Sequence, residues 1–162
     1  MIIRPYEKSD AFQITQLFHS SVHAIADTLY TKEEKEAWAP TPPDYSSWEQ
    51  RLDLKQPFVG SINRVIVGFI ELESDGHIDC FYVHKDYQQK GIGGQLLQYA
   101  IEQGVKRKQD SFYTEASFAA KPLFEKFGFV VKRSNIIKIR GQNLKNYTMT
   151  LRIKTDYRSG IF

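Results

Sequence analysis

The sequence predicts an α+β fold in which one domain, residues 1–162, carries a mixed, mostly antiparallel sheet with helices on both faces. Three observations predict this class. The first third of the chain shows helical spacing of its apolar residues, whereas the middle and the end contain short β-branched and aromatic runs separated by turn residues. Helical spacing returns after a glycine-rich segment between those runs. The length of 162 residues, without a repeat or linker, fits a single domain.

The composition favours a soluble protein of a reducing compartment. Charged residues make up 25% of the chain, and apolar runs such as residues 65–70 fall far short of a membrane span of ~20 residues. The N-terminus lacks the pattern of a secretion signal, and a single cysteine, Cys80, excludes an internal disulfide framework. The net charge of +3 suits an anionic cofactor but is low for a nucleic-acid binder. We expect a cytoplasmic protein without a membrane or nucleic-acid partner, and we assign no metal ligands.

The first part of the chain predicts a strand and three helices. Residues 2–5 predict a short strand that ends at a proline, and the pair Ser9-Asp10 predicts a helix cap. The helix that follows has apolar residues at helical spacing, which we expect to form its buried face: Phe12, Ile14, Leu17, Phe18, Val22 and Ile25. Capping-box patterns that begin at Thr31 and Ser46 predict two more short helices on either side of the proline-rich loop 40–43.

The rest of the chain predicts strands with two helices between them. Residues 57–62, 65–73 and 77–83 are rich in β-branched and aromatic residues and are separated by turn residues, which predicts an antiparallel meander. The later patterns predict a helix from Gly91, a strand near residues 112–116, a helix at about 119–127, and strands at about 129–139 and 147–153. The turn-rich residues 140–143 predict the connection between the last two strands.

The most informative segment, residues 83–97, joins the meander to the helix that follows it. A glycine-rich loop between a strand and a helix directs unpaired N–H groups and the positive helix end at one point, which suits an anion such as pyrophosphate. Gly91 and Gly93 permit close approach to the backbone, and Lys90 adds a positive charge. Leu96 stands where a dinucleotide fingerprint requires glycine, and no ATP-binding P-loop pattern follows. An ordinary glycine-rich turn is the alternative interpretation.

Two motifs resemble those of the GNAT superfamily of N-acetyltransferases. Residues 88–93 (QQKGIG) resemble its coenzyme A pyrophosphate motif, Gln/Arg-x-x-Gly-x-Gly/Ala, and residues 119–129 resemble its second signature, a short helix ending in an aromatic-Gly-Phe turn. The resemblance follows the order of elements over nearly the whole chain, and residues 37–40, 78–79 and 116–117 further resemble the bacterial YafP-like branch. It implies an acetyl-CoA-dependent N-acetyltransferase in which the acceptor amine attacks the thioester directly.

The resemblance also implies where the cofactor binds. In this family the fourth strand, here residues 77–83, splays from the fifth, here residues 112–116, and pantetheine lies in the opening. Main-chain groups near Phe81 and Val83 would bind it, and a backbone N–H of the same strand would stabilise the oxyanion. The implied cofactor-binding residues are Phe81, Tyr82, Val83, Gln88, Gln89, Lys90, Gly91, Ile92, Gly93, Gly94, Ser117 and Phe124.

A base must remove a proton from the amine, because an ammonium group has no lone pair. Strand alternation predicts His77, Asp79 and Phe81 on one face, which leads towards the thioester, and Cys80 on the other. Asp79 is therefore our first candidate for the base and His77 our second. An acid on a half-buried strand also suits a purely structural contact with the backbone or with an arginine. The neighbouring strand offers two further alternatives, Glu71 and Glu73. Cys80 suits a core position, and we assign it no role.

The N-terminal helices supply the acceptor pocket in this interpretation. Aromatic residues cluster around the proline-rich loop: Tyr30, Trp38, Tyr45 and Trp48. We assign Tyr30 and Trp38 to substrate binding, although such residues also suit simple packing of the helices on the sheet. Basic residues alternate with apolar ones in the last strands and predict a solvated sheet face, from which some could meet an acidic acceptor. These are Lys132, Arg133, Lys138, Arg140, Lys145, Arg152 and Lys154.

The sequence leaves three functions open. The first is acetylation of a small-molecule amine, the second is acetylation of a protein or peptide, and the third is a catalytically silent coenzyme A-binding module. A short pocket with aromatic walls would favour the first function, and an open acidic channel would favour the second. We expect a monomer or a homodimer in each case.

One position departs from the family pattern. GNAT enzymes often carry a tyrosine that protonates the departing thiolate, and this chain has Phe124 there. A phenyl ring has no proton to give. Tyr113, Ser117 and Tyr147 are alternatives for the acid, but we expect no dedicated acid, because a thiolate with a pKa near that of cysteine, about 8.5, is a fair leaving group.

Overall fold

The computed structural model describes residues 1–154 as a seven-stranded sheet with helices on both faces. The helices are α1 (Ala11–His23), α2 (Lys32–Trp38), α3 (Tyr45–Lys55), α4 (Ile92–Lys106) and α5 (Lys121–Lys126). The strands are β1 (Ile2–Pro5), β2 (Phe58–Ile62), β3 (Val65–Leu72), β4 (His77–Val83), β5 (Ser111–Ser117), β6 (Val130–Ile139) and β7 (Gln142–Arg152). Among residues 1–154, no helix has the length and apolar character needed to cross a membrane.

The sheet has the order β1-β2-β3-β4-β5-β7-β6, and every neighbouring pair is antiparallel except β4 and β5, which are parallel. Two hydrophobic cores lie on its opposite faces. One packs α4 against residues such as Ile70 and Ile78, and the other packs α1 and α3 against residues such as Val59 and Phe69. The predicted α+β class, the mostly antiparallel sheet and the helices on both faces are confirmed.

The N-terminal helices differ from the prediction in detail. Phe12 was expected on the buried face of α1, but its side chain is 58% exposed and stacks on Tyr45 at 5.0 Å between ring centroids. Helix α1 ends at His23, so Ile25 lies beyond it. Helix α3 begins earlier than the Ser46 pattern predicted, because the carboxylate of Asp44 accepts the Ser47 N–H at 3.0 Å and supplies the cap. Aspartate is as good an N-cap as serine, so Asp44 caps the helix two residues before Ser46.

The hairpin between β6 and β7 is tighter than the predicted turn over residues 140–143. Arg140 and Gly141 both have positive φ angles, 45° and 82°, and Ile139 pairs directly with Gln142. Two left-handed residues in succession make the kind of turn that matches the twist of the flanking strands. Strand β7 therefore begins at Gln142 rather than near residue 147, and the hairpin reaches beyond the end of β5.

Strands β4 and β5 separate soon after they meet. Their pairing consists of His77 with Tyr113 and Ile78 with Thr114, and Thr114 Oγ1 donates to the Ile78 carbonyl at 2.9 Å. Beyond this point β4 continues to Val83 without pairing to β5. The predicted splay of the central strands is therefore confirmed, and it leaves the main chain of β4 facing an opening.

A β-bulge in β4 changes which side chains share a face. Leu72 pairs with Ile78 and Ile70 pairs with Phe81, so Glu71 lies opposite two residues of β4, Asp79 and Cys80. The extra residue shifts the alternation, and Ile78 and Phe81 both pack in the α4 core. The predicted face shared by His77, Asp79 and Phe81 is therefore wrong at Phe81. The predicted separation of Cys80 from Asp79 is also wrong, because both face Arg51 of α3.

Candidate active site

A cavity of about 600 Å³ passes through the opening between β4 and β5. Phe81 and Phe124 line it on the side of α4 and α5, whereas Trp48 and Arg51 line it on the side of α3. The β6–β7 hairpin closes the cavity from a third direction through residues that include Leu144. The cavity thus connects the two faces of the sheet at the point where its strands diverge.

The glycine loop meets the α4 side of this opening. Gly91 is the N-cap of α4 with a φ of 77°, a left-handed conformation that glycine adopts without strain. The next three residues begin the helix, so their N–H groups have no helical acceptor and point out of its positive end. A Cβ atom at Gly93 would lie 3.0 Å from Leu123 Cδ2, which explains why α4 and α5 approach so closely here. The assigned residues Ile92, Gly93 and Gly94 therefore present free N–H groups at the positive end of α4, a geometry that suits an anion.

The three residues before Gly91 shape this loop. Gln88 Nε2 donates to the Val83 carbonyl at 3.4 Å, which ties the loop to the end of β4. Gln89 takes a positive φ of 58°, and Lys90 Nζ donates to the Asp86 carbonyl at 3.2 Å. Lys90 thus stands beside the predicted phosphate site.

The main chain of β4 presents two residues to the opening. The N–H of His84 donates to the Val67 carbonyl at 2.8 Å, and hydrogen bonding alternates along an antiparallel pair. In this register Tyr82 faces β3 with its main chain, whereas the main-chain groups of Phe81 and Val83 point towards the splay. The side chain of Tyr82 lies on the α1 face, where Trp38 Nε1 donates to its hydroxyl at 3.1 Å. Its position supports a role in the acceptor pocket more than in cofactor binding.

Ser117 and Phe124 lie at the α5 end of the cavity. Ser117 Oγ accepts the Ala120 N–H at 3.1 Å. The ring of Phe124 is buried and packs edge-on against Phe81 at 5.8 Å and Phe129 at 5.1 Å. Both assigned residues therefore border the opening, and Phe124 contributes only apolar contact.

Asp79 faces the cavity but is held in ion pairs. Its Oδ2 accepts from Arg51 Nη2 at 2.8 Å and from Lys55 Nζ at 3.3 Å, and Arg51 also binds the fully buried Glu71. Burial alone would raise the pKa of Asp79, but the charge and hydrogen bonds of Arg51 and Lys55 outweigh it and lower that pKa. Glu71 also accepts the Cys80 N–H at 3.2 Å. Asp79 therefore stays ionised and is a weakened proton acceptor.

His77 bonds to an acid that the sequence argument missed. Its Nε2 lies 2.6 Å from Glu115 Oε2, its Nδ1 lies 3.3 Å from Glu73 Oε1, and its ring stacks on Tyr113 at 4.6 Å. Burial opposes protonation, but the hydrogen bond to Glu115 and the nearby carboxylates raise the pKa of His77. Glu115 lines the cavity and is half-exposed. Only the parallel register of β4 and β5 brings these residues together, and that register is absent from the local sequence pattern.

The carboxylates at this end of β4 have a cation among them. Ligand atoms of Glu73, His77 and Asp79 lie within 4.8 Å of one another, a spacing that a metal ion could bridge. Lys55 Nζ lies 2.6 Å from Glu73 Oε1 and 3.3 Å from Asp79 Oδ2. The lysine thus supplies positive charge where a metal would be required to supply it.

Aromatic residues line the side of the cavity that the sequence assigned to the acceptor. Tyr30 Oη accepts the Phe118 N–H at 2.9 Å, and its ring lies 5.4 Å from that of Trp38. Both assigned residues line the cavity, and so does Trp48. Tyr45, which belongs to the same sequence cluster, instead stacks on the exposed ring of Phe12 and takes no part.

A glycine-rich helix end beside an opened pair of parallel strands, with titratable groups and an aromatic pocket behind them, defines a coenzyme A-dependent acyltransferase. Residues 26–151 match the family model of the acetyltransferase (GNAT) domain. The chain belongs to the GNAT family and is an N-acetyltransferase.

Individual relatives agree with this placement. The chain is 31% identical to the uncharacterized N-acetyltransferase YafP of Escherichia coli K12, over 91% of this chain and 93% of that one, which confirms the predicted YafP-like branch. A GCN5-related N-acetyltransferase from Rhodopseudomonas palustris superposes with a TM-score of 0.88 at 32% identity, over 94% and 95% of the two chains. The Salmonella typhimurium protein yncA, solved with its cofactor acetyl-CoA, shares the fold with a TM-score of 0.70 at 22% identity, over 96% and 95%.

Proposed function

We propose that this protein transfers an acetyl group from acetyl-CoA to the amine of a small molecule. The observation that carries the proposal is the cavity of about 600 Å³, whose walls are aromatic on the acceptor side and which opens directly onto the splay. Such a concave site, with aromatic walls and charged groups at defined positions, suits a small ligand. Helices α1 to α3 and the β6–β7 hairpin surround it, whereas a protein tail would need a groove open at both ends.

The residues present fit the cofactor. The first-turn N–H groups after Gly91 suit its pyrophosphate, and the main-chain groups of Phe81 and Val83 suit the amides of pantetheine in the opening. When bound, acetyl-CoA supplies an acetyl thioester that is already activated towards amines. The Phe81 N–H, which points into the opening, supports oxyanion stabilisation, whereas the Cys80 N–H is already held by Glu71.

His77 and Glu115 are the pair that we propose for proton removal. Glu115 faces the cavity and shares a short hydrogen bond with His77, so a proton taken from the amine enters the pair and leaves through the exposed side of Glu115. The raised pKa of His77 brings the pair closer to neutral pH than Asp79, whose pKa is lowered. We therefore rank His77 before Asp79, the reverse of the order that the sequence suggested.

No dedicated acid is required for the departing thiolate. Phe124 has no proton, and the hydroxyl of Tyr113 donates to Asp75 outside the cavity. Ser117 borders the cavity, but its hydroxyl is a weak acid. Phe124 is proposed to pack beside the cofactor, and solvent is proposed to supply the final proton.

An acetyl-CoA turnover screen, read by thiol release, tests this function. It should contain alkylamines, arylamines, and peptides with free lysine or N-terminal amines. Turnover of small amines and none of peptides is expected. Turnover confined to peptides would contradict the proposal and indicate a protein acetyltransferase. Tight coenzyme A binding without turnover of any amine would contradict it and indicate a catalytically silent binding module.

A further inference from the structure

Three arginine and lysine side chains line the cavity: Arg51 of α3, which pairs with Glu71 and Asp79, and Arg140 and Lys145 on the β6–β7 hairpin. Arg140 Nη1 donates to the Ala37 carbonyl of α2 at 2.7 Å, which fixes the guanidinium at the wall of the cavity. Its Nε and Nη2 groups remain available to donate to a ligand. Lys145 Nζ lies over the ring of Tyr147 at 5.4 Å. The tight turn at Arg140 and Gly141 is what brings this part of the hairpin over the pocket.

The acids of the cavity are already matched by protein donors. Asp79 is paired with Arg51 and Lys55, and Glu115 with His77. Asp44, the third acid that lines the cavity, accepts from the backbone and hydroxyl of Ser47 at the start of α3. Within residues 1–154, neither Arg140 nor Lys145 forms an ion pair. Arg140 and Lys145 are therefore the cavity-lining cations that no carboxylate of the described residues pairs, and both lie on the hairpin wall.

Arg140 and Lys145 offer only positive charge and hydrogen-bond donors, so an acceptor that carried only an ammonium group would gain nothing from them. An acceptor with an anionic group offers oxygens to the fork of the arginine and a charge opposite to that of both cations. We propose that the acceptor is an amine that also bears a carboxylate or phosphate group, which Arg140 and Lys145 bind. This inference rests on the proposed function, since it identifies the substrate class of the same site.

The arrangement also orients the acceptor. With its anionic group on the hairpin wall, the amine of a small molecule lies across the cavity towards Glu115 and the opening of the sheet. Trp38 and Tyr30 line the same cavity, and their rings suit an apolar or planar part of the acceptor.

Matched pairs of acceptors test the inference. Suitable pairs are phenylalanine against 2-phenylethylamine and 4-aminobenzoate against 4-aminobenzamide, with 4-aminophenyl phosphate as the phosphate probe. We expect kcat/KM to be at least ~10-fold higher for the anionic member of a productive pair. Arg140→Gln and Lys145→Gln should each remove most of this preference by slowing only the anionic member, and Arg140→Lys should retain part of it. Lys138→Gln, on the same hairpin but outside the cavity, is the matched control and should leave the preference unchanged.

The outcomes separate this inference from the function on which it rests. Equal kcat/KM for anionic and neutral members in the native enzyme overturns the inference and leaves the proposed function standing. An equal loss for both members in Arg140→Gln and Lys145→Gln also overturns it, because the cations would then support the pocket rather than recognise charge. No turnover of any amine, with coenzyme A binding intact by calorimetry, overturns the proposed function itself. A preference confined to the phosphate or to the carboxylate probes identifies which anion the wall binds.

Discussion

His77 Nε2 lies 2.6 Å from Glu115 Oε2, although the two residues are 38 positions apart in the chain. The contact forms where β4 and β5 make their last shared hydrogen bonds before they diverge. A titratable pair is thus placed at the root of the opening, with one member facing the cavity and the other half-buried behind it. Because of this position, the dependence of the rate on the protonation state of the pair tests the chemistry that we propose in the opening.

Replacement of His77 should remove the pH dependence of the rate. Because the pKa of His77 is raised, its neutral form gains population only above about pH 6.5, and the rate should rise with pH through that region. His77→Gln should lower kcat by ~10²-fold and abolish this rising limb, with coenzyme A affinity unchanged. Glu115→Gln should move the limb to lower pH, since it removes the hydrogen bond and charge that favour the protonated imidazole. Initial rates between about pH 5.5 and 9 measure both effects.

Asp79→Asn is the counterpart of this experiment. Its carboxylate is held by Arg51 and Lys55, so we expect a loss of less than ~10-fold in kcat and a rising limb that persists. Glu125→Gln on α5, which breaks only an exposed pair with Lys121, is the control for a lost acid. A larger loss in Asp79→Asn than in His77→Gln, together with disappearance of the limb, would restore Asp79 as the base.

Gly91→Asp should weaken coenzyme A binding by at least about tenfold, which corresponds to ~1.4 kcal/mol, because a carboxylate would meet the pyrophosphate. Gly91→Asn has nearly the same shape and tolerates the same positive φ, so the difference between the two variants isolates the charge. Calorimetric titration with coenzyme A measures it. Gly141→Asp, at another glycine with positive φ, controls for net charge and strain and should bind normally. Equal coenzyme A affinities of Gly91→Asp and Gly91→Asn would refute the loop as the pyrophosphate site.

Phe124→Tyr should leave kcat within a few-fold of the native value, because the ring serves in packing against Phe81 and Phe129. Ser117→Ala and Tyr147→Phe should be similarly mild if the thiolate leaves without a dedicated acid. The pH profile should then lack a falling alkaline limb. A loss of ~10²-fold in either hydroxyl variant, with an alkaline limb that the same variant removes, would identify a hidden acid.

The acid stability of the fold should depend on Asp10, which lies far from the cavity. Its buried carboxylate accepts from Arg4 at 2.7 and 2.8 Å and from the Glu7 N–H at 2.8 Å. Burial would raise its pKa, but these bonds lower it, so their stabilisation is complete above the unfolded pKa of about 3.9 and is lost as the pH falls through the lowered folded value. Asp10→Asn should reduce the free energy of unfolding by about 2 kcal/mol at pH 7 and flatten its decline at acid pH. Urea unfolding at several pH values measures both.

The local signals of the sequence predicted most elements correctly, and the errors have a common cause. Glycine spacing, caps and strand runs act within a few residues, so the start of the helix after Gly91 and the ends of the meander strands were placed within one residue of those observed. The β4 bulge depends on how Glu71 and Cys80 meet across two strands, and no pattern within β4 announces it. The same applies to Glu115, whose role depends on the parallel register with β4.

The basic residues of the last strands show a second limit of prediction from sequence. Their alternation predicted a solvated face from which some could meet an acidic acceptor, and Lys138 is exposed as expected. Arg140 instead binds the Ala37 carbonyl, because the tight turn extends the hairpin onto α2. A pattern of charged residues can indicate which side chains are exposed. The length of the turn decides which of them lie at the cavity, and the pattern does not contain that information.

The passage through the sheet has a consequence for the order of events. The glycine-rich end of α4 lies on one face of the sheet, and the aromatic wall of the cavity lies on the other. In the proposed reaction, acetyl-CoA and the amine would therefore enter from opposite faces and meet at the gap between β4 and β5. Neither reactant would have to leave before the other arrived, which is what direct transfer in a ternary complex requires.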